Sequence, residues 1–243
     1  MNRDEFNNHI SEQLNRNLEG LFNQVLEMGG IVEQQLADLN QALENNDEEK
    51  AHNVLTLDKL INREEMEIDR LCAAVLARQQ PTASDLRLIV MAIRIAVDLE
   101  RMGDEAVKIA NMAIAQCKDD GSCSSLPAFD YLKQLMAASS DMLKTTLNGF
   151  SRLDTSKTME IYHEEERMDE VLKLASQEIQ EKLAETNDVE TVDIYIKMLL
   201  AIRAAERITD HSLNIAESVV YLVRGKDVRQ MDEQALAKFL QSE

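Results

Sequence analysis

The sequence predicts an all-α protein made of two tandem three-helix units related by a pseudo-twofold internal repeat, and three observations predict it. The 243 residues include only 7 Gly, 2 Pro and 4% aromatics, while Leu, Ala, Glu, Gln, Met and Lys recur throughout, and these are residues that lose little on entering a helix. Apolar positions return at three- and four-residue steps over long stretches, the spacing of one helix face. Finally, DLERMGDEAVKIAN at 98–111 is echoed 106 positions later by AAERITDHSLNIAE at 204–217.

In chain order, the periodicity predicts helices over about 5–44, 47–79 and 83–118. QQPTASD separates the second from the third, because proline stops a helix; Ser84 or Asp85 is a suitable cap for the third. KDDGSCSSLPAF at 118–129 gathers Gly, Ser and Pro in a polar run and is the strongest boundary signal, dividing the chain into units 1–121 and 122–243. The pattern restarts at about 128–153, 156–186 and 188–224, with breaks near RLDTSK and ETNDVE. RQMDEQALAKFLQ is long enough for one short final helix.

A formal net charge of −19, with no Lys/Arg-rich stretch, repels phosphate backbones and anionic lipid surfaces, so direct nucleic-acid binding is not expected. MNRDEFNNHISEQ has no signal-peptide pattern. The most apolar segment, LRLIVMAIRIAVDLE, holds Arg87, Arg94 and Asp98 and falls short of the ~20 uncharged residues of a spanning helix. A cytoplasmic location without a transmembrane segment is the expectation. Cys72, Cys117 and Cys123 form no CxxC pair and read as reduced thiols.

The 106-residue offset lays Glu100 on Glu206, Arg101 on Arg207 and Asp104 on Asp210. One position more lays Asp58 on Glu165, Ile61 on Met168 and Asn62 on Asp169. On a helix at about 100° per residue, Glu100 and Asp104 lie about 40° apart on one side, among Ile93, Val97 and Val107. Met91, Ile95, Met102, Ile109 and Ala113 fill the opposite face, which makes this helix the covered centre of its half. Like charges at this spacing repel by a few tenths of a kcal/mol even in water, and more when desolvated. The Arg that follows each Glu points about 100° away and is better placed to serve another helix.

Three readings of the acids compete. They are solvated surface charges on a structural scaffold; a catalytic acid pair, for which no nucleophile or pocket is evident; or oxygen ligands for a hard cation. In the third, Asp58 and Asn62 face Glu100 and Asp104, and Glu165 and Asp169 face Glu206 and Asp210. Such oxygen-rich sets suit Mg, Mn, Ca or Fe. Glu49-Lys-Ala-His52 and Glu160-Ile-Tyr-His163 have the Glu-x-x-His spacing of di-iron bundles, yet both histidines fall on the side away from the apolar stripe. His211 follows Asp210 and is a peripheral ligand at most; a plain surface histidine is the simpler expectation.

Two three-helix repeats, the paired ER-xx-D signatures and the weaker LDKLIN and EERMD segments resemble, over nearly the whole chain, the PhoU family of phosphate-transport accessory and regulatory proteins. The resemblance implies an all-helical, non-enzymatic, homodimeric regulator that binds metal through its E(D)xxxD pairs. The metal is divalent or trivalent, from among Mg, Mn, Fe and Zn. It also implies a negative role in the phosphate-starvation response, linking a PstB-type ATPase subunit of the phosphate ABC transporter to a PhoR-type sensor histidine kinase. The rival from another class is a carboxylate-bridged metalloenzyme or metal-storage bundle. Asn62 stands where the second half has Asp169, and Glu105 where it has His211, so the two sites need not bind alike.

Overall fold

The computed structural model describes residues 12–79, 81, 83–116 and 123–242. Among the described residues seven α-helices run in order: α1 (Glu12–Asn45), α2 (Glu48–Arg78), α3 (Ala83–Gln116), α4 (Phe129–Arg152), α5 (Thr158–Glu185), α6 (Val189–Arg224) and α7 (Glu233–Gln241). The expected helix positions are all met to within a few residues; the stretch 5–11 of the first lies outside the described residues. Aspartates supply several of the starts. Asp47, Asp188 and Asp232 accept from the backbone N–H groups of Lys50, Thr191 and Ala235 at 3.0, 2.9 and 2.8 Å, satisfying donors that a helix leaves open at its first turn. At α3 the expectation of a Ser84 or Asp85 cap is corrected, since the helix begins at Ala83 and both lie inside its first turn.

Within each half the helices form an up-down-up set. α3 packs on α1 and α2, and α6 on α4 and α5; α3 and α6 then pack on each other, and α1 meets α4. Arg207 reaches Glu105 while His211 reaches Asp98, so one helix index rises as the other falls and the pair is antiparallel. That is the arrangement a pseudo-twofold axis requires. The apolar core runs continuously through both halves, with Leu18, Leu36, Ile61, Leu88, Ile95, Leu135 and Ile202 all at 0% exposure. Burying each such side chain contributes about 1.5–3 kcal/mol. As expected, Met91, Ile95, Met102, Ile109 and Ala113 of α3 are buried. α7 closes over the end of α5 and α6 through Val220, Val228 and Leu236.

Cys72 is a free, buried thiol whose pKa burial pushes up to about 12. Cys123 departs from the expectation of reduced thiols: it is buried and disulfide-bonded, at the start of a single 3-10 turn. Cys117 lies outside the described residues. Among the described residues no helix is long and apolar enough to cross a membrane.

Candidate metal centre

The second-half acids converge. Glu165 and Asp169 occupy consecutive turns of α5, Asp210 projects from α6, and one oxygen from each lies within 4.8 Å of the others. Helix geometry brings them there: residues four apart share a face, and α5 packs along α6. Glu206 stands one turn before Asp210 and is buried at 3% exposure.

Partly dry surroundings and mutual repulsion raise the pKa of three of these carboxylates. Burial first, and then Asp169 and Asp210, raise Glu165 to about 7. Burial first, then Asp210, raise Glu206 to about 7 against the opposing charge of Arg203. Asp210 is raised too, by burial and then by Asp169. Glu206 Oε1 meets Arg203 Nη1 at 3.4 Å, but Oε2 is buried with no neighbouring group donating to it. A shared proton, an ordered water or a cation would satisfy that oxygen. The residues therefore fit a hard cation: all-oxygen donors from two helices, mutually repelling, with one orphaned oxygen among them.

The first-half set is looser. Asn62 Nδ2 donates to Asp58 Oδ2 at 3.4 Å, while Asp58 Oδ1 and Asn62 Oδ1 are buried without partners. Burial and then Asp104 raise Asp58; burial and then Asp104, Glu65 and Asp58 raise Glu100. Asp104 itself is exposed. Among the described residues no three acids of this half come within the distance reached by the second. Gly103 lets the helices approach: a Cβ there would lie 3.3 Å from Asp58 Oδ1 and 3.4 Å from Gln35 Oε1. Glu65, one further acid in this patch, escaped sequence reasoning because the repeat sets no acid at its counterpart, Leu172.

His52 and His163 face solvent as expected, 58% and 54% exposed, against Glu48 and Glu233. His211 overturns the expectation of a surface histidine. It is buried, and its Nδ1 lies 2.9 Å from Asp98 Oδ1 across the α3–α6 seam. Arg207 serves the other helix as anticipated, with Nε 3.1 Å from Glu105 Oε1.

Comparison with known proteins fixes the family. The PhoU domain matches the chain twice, at 25–113 and 132–219. This chain belongs to the PhoU family. Both acidic sets fall inside the matched PhoU repeats. A "Phosphate-specific transport system accessory protein PhoU homolog" of Pseudomonas aeruginosa is 38% identical over 229 residues, 94% of this chain and 93% of that protein. The "Phosphate-specific transport system accessory protein PhoU" of Escherichia coli strain K12 is 36% identical over 234 residues, 96% and 95% of the two chains. The crystal structure of PhoU from Pseudomonas aeruginosa superposes with a TM-score of 0.80 at 36% identity, covering 87% of this chain and 99% of that one. The "phosphate transport system regulatory protein PhoU" of Streptococcus pneumoniae gives 0.75 at 29%, covering 87% and 97%. PhoU proteins are accessory and regulatory proteins rather than enzymes.

Proposed function

We propose that this chain is a non-enzymatic, cytoplasmic regulator of phosphate homeostasis that represses the phosphate-starvation response. On this reading it couples a Pst-type phosphate ABC transporter, through its PstB-type ATPase subunit, to a PhoR-type sensor kinase, and works as a homodimer. The observation that supports it is the match of nearly the full chain to proteins called accessory to phosphate-specific transport. An adaptor shifts a partner's equilibrium only by binding its states unequally. Its surface, not a turnover site, then carries the signal.

In the same reading Glu165, Asp169, Glu206 and Asp210 hold a divalent or trivalent cation, with Asp58, Asn62, Glu100 and Asp104 a weaker second set. A bound cation supplies positive charge that neutralises the acids. The chain's own residues then clamp α5 to α6 and fix the face presented to partners.

The test is alkaline phosphatase output in phosphate-rich medium, from cells lacking this gene and from cells carrying Glu206→Ala with Asp210→Ala at equal protein levels. High output on deletion is expected and establishes the repressor role; high output from the folded double variant ties that role to the acids. Low output on deletion sinks the regulatory reading.

A further inference from the structure

A groove of about 540 Å³ runs between the C-terminal half of α3 and the N-terminal half of α6. Lys108, Lys197, Arg203 and Arg207 line it with a single carboxylate, that of Glu105, and Met112 and Leu200 give it apolar wall. On a chain of net charge −19 this is a cationic enclave. Leu200 is 62% exposed within it. The cations are paired, Lys108 and Arg207 with Glu105, Lys197 with Asp193 and Arg203 with Glu206. Yet all four side chains are 44–58% exposed, and exposed pairs exchange partners readily.

The pseudo-twofold axis supplies a comparison inside the molecule. The 106-residue offset lays Arg94 on Leu200, Asp98 on Ala204 and Asn111 on Glu217. At Arg94, Asp98 and Glu217 the chain's own C-terminal segment lies over the seam. Asp227 Oδ2 is 4.0 Å from Arg94 Nη1, and Arg229, held first by Asp227, also feels the charges of Glu217 and Asp98. Val228, between them in sequence, is buried with Val220 and Leu236. One of the two equivalent positions is thus covered by an irregular segment of the chain itself, which brings both signs to a lining of two acids and one arginine. At the open groove cations outnumber the one carboxylate of the lining.

We propose that the α3–α6 groove is a docking site for an acidic segment of a partner protein, which seats an apolar side chain on Met112 and Leu200 and directs carboxylates to Lys108, Lys197, Arg203 and Arg207. The inference stands apart from the regulatory reading above, because binding in solution needs neither transporter nor kinase.

The experiment is fluorescence anisotropy of the full chain with a labelled synthetic peptide alternating Asp and Glu with Leu, and with a control in which Lys replaces every acid. The acidic peptide binds tighter, and added salt weakens it. Lys197→Glu with Arg203→Glu weakens it at least about tenfold, a difference of about 1.4 kcal/mol. Leu200→Asp, which keeps all four cations of the groove, weakens it as well, so a fold defect in the first variant does not decide the matter. Lys59→Glu on the exposed side of α2 leaves it unchanged. Equal binding of the two peptides, or binding indifferent to both groove variants, overturns the proposal. So does a wild-type dimer that Leu200→Asp dissociates in sedimentation, which gives the groove to a second copy. Displacement by inorganic phosphate in place of unlabelled peptide assigns it to a free oxyanion and overturns the proposal too.

Discussion

Asp169 gains nothing from facing Asp210 unless something positive stands between them. In the presence of a chelator, Asp169→Asn removes like-charge repulsion and is expected to raise the melting temperature; with Mn²⁺ or Mg²⁺ added, the metal-induced rise seen in the wild-type chain is expected to vanish. Differential scanning fluorimetry reads both, and a variant that loses stability in chelator while keeping the metal response would refute the arrangement. Glu217 gives a separate pH signature. Burial first, then Asp227 and Asp98, hold its carboxyl up to about 7, with Arg229 opposing. A folded-state pKa raised above 4.5 means that the fold keeps the proton longer than the unfolded chain does. Its stabilising contribution is therefore complete below about 4.5 and is lost as pH rises through about 7. Melting temperature is expected to fall across that window, and Glu217→Gln to flatten part of the fall. Asp227, held down to about 2, acts only at the acid extreme and with the opposite sign. Sequence showed the acids that repeat at matching turns. It did not show Glu217 or Glu65 as perturbed groups, nor the burial of His211, because each depends on what a distant helix lays over it.

The helices were legible almost to their ends, because periodicity and punctuation agree: Pro81 before α3, the Gly/Ser/Pro linker before α4, aspartate caps at α2, α6 and α7. The failures were local. Inside the first turn of α3, Ser84 and Asp85 are too far along to cap, and the Cys123 disulfide is a tertiary contact that no periodicity encodes. The C-terminus of α6 shows how one residue fixes an exit. Gly225 sits at φ 73° in the left-handed region, its N–H donating to Tyr221 O at 2.8 Å. A Cβ there would also run into the Arg87 guanidinium. Gly225→Ala is expected to cost about 1–3 kcal/mol in urea unfolding through backbone strain, more if Arg87 is unable to move aside. It would also loosen the segment bearing Asp227, Val228 and Arg229.

At the scale of the whole molecule, the offset between the two signatures announced a pseudo-twofold axis but not the place where the halves meet. They meet along α3 and α6, and two polar pairs span that seam: Glu105 with the half-exposed Arg207, and Asp98 with the buried His211. Asp98→Ala would leave the His211 ring buried without its partner, an expected loss of about 1–3 kcal/mol by chemical denaturation. His211→Leu with Asp98→Leu is expected to recover much of it, since removing both partners leaves no polar group stranded. The asymmetry of the seam has a further consequence, for sorting. Were α3 of one copy to pair with α3 of another, Arg101 would take the place of Arg207, but Glu105 would take the place of His211, so Asp98 would meet a carboxylate instead of an imidazole. Were α6 to pair with α6, His211 would take the place of Glu105 and deprive Arg207 of its acid. Each half thus makes a poorer seam with its own twin than with its sibling, so the two repeats share a pattern without being interchangeable.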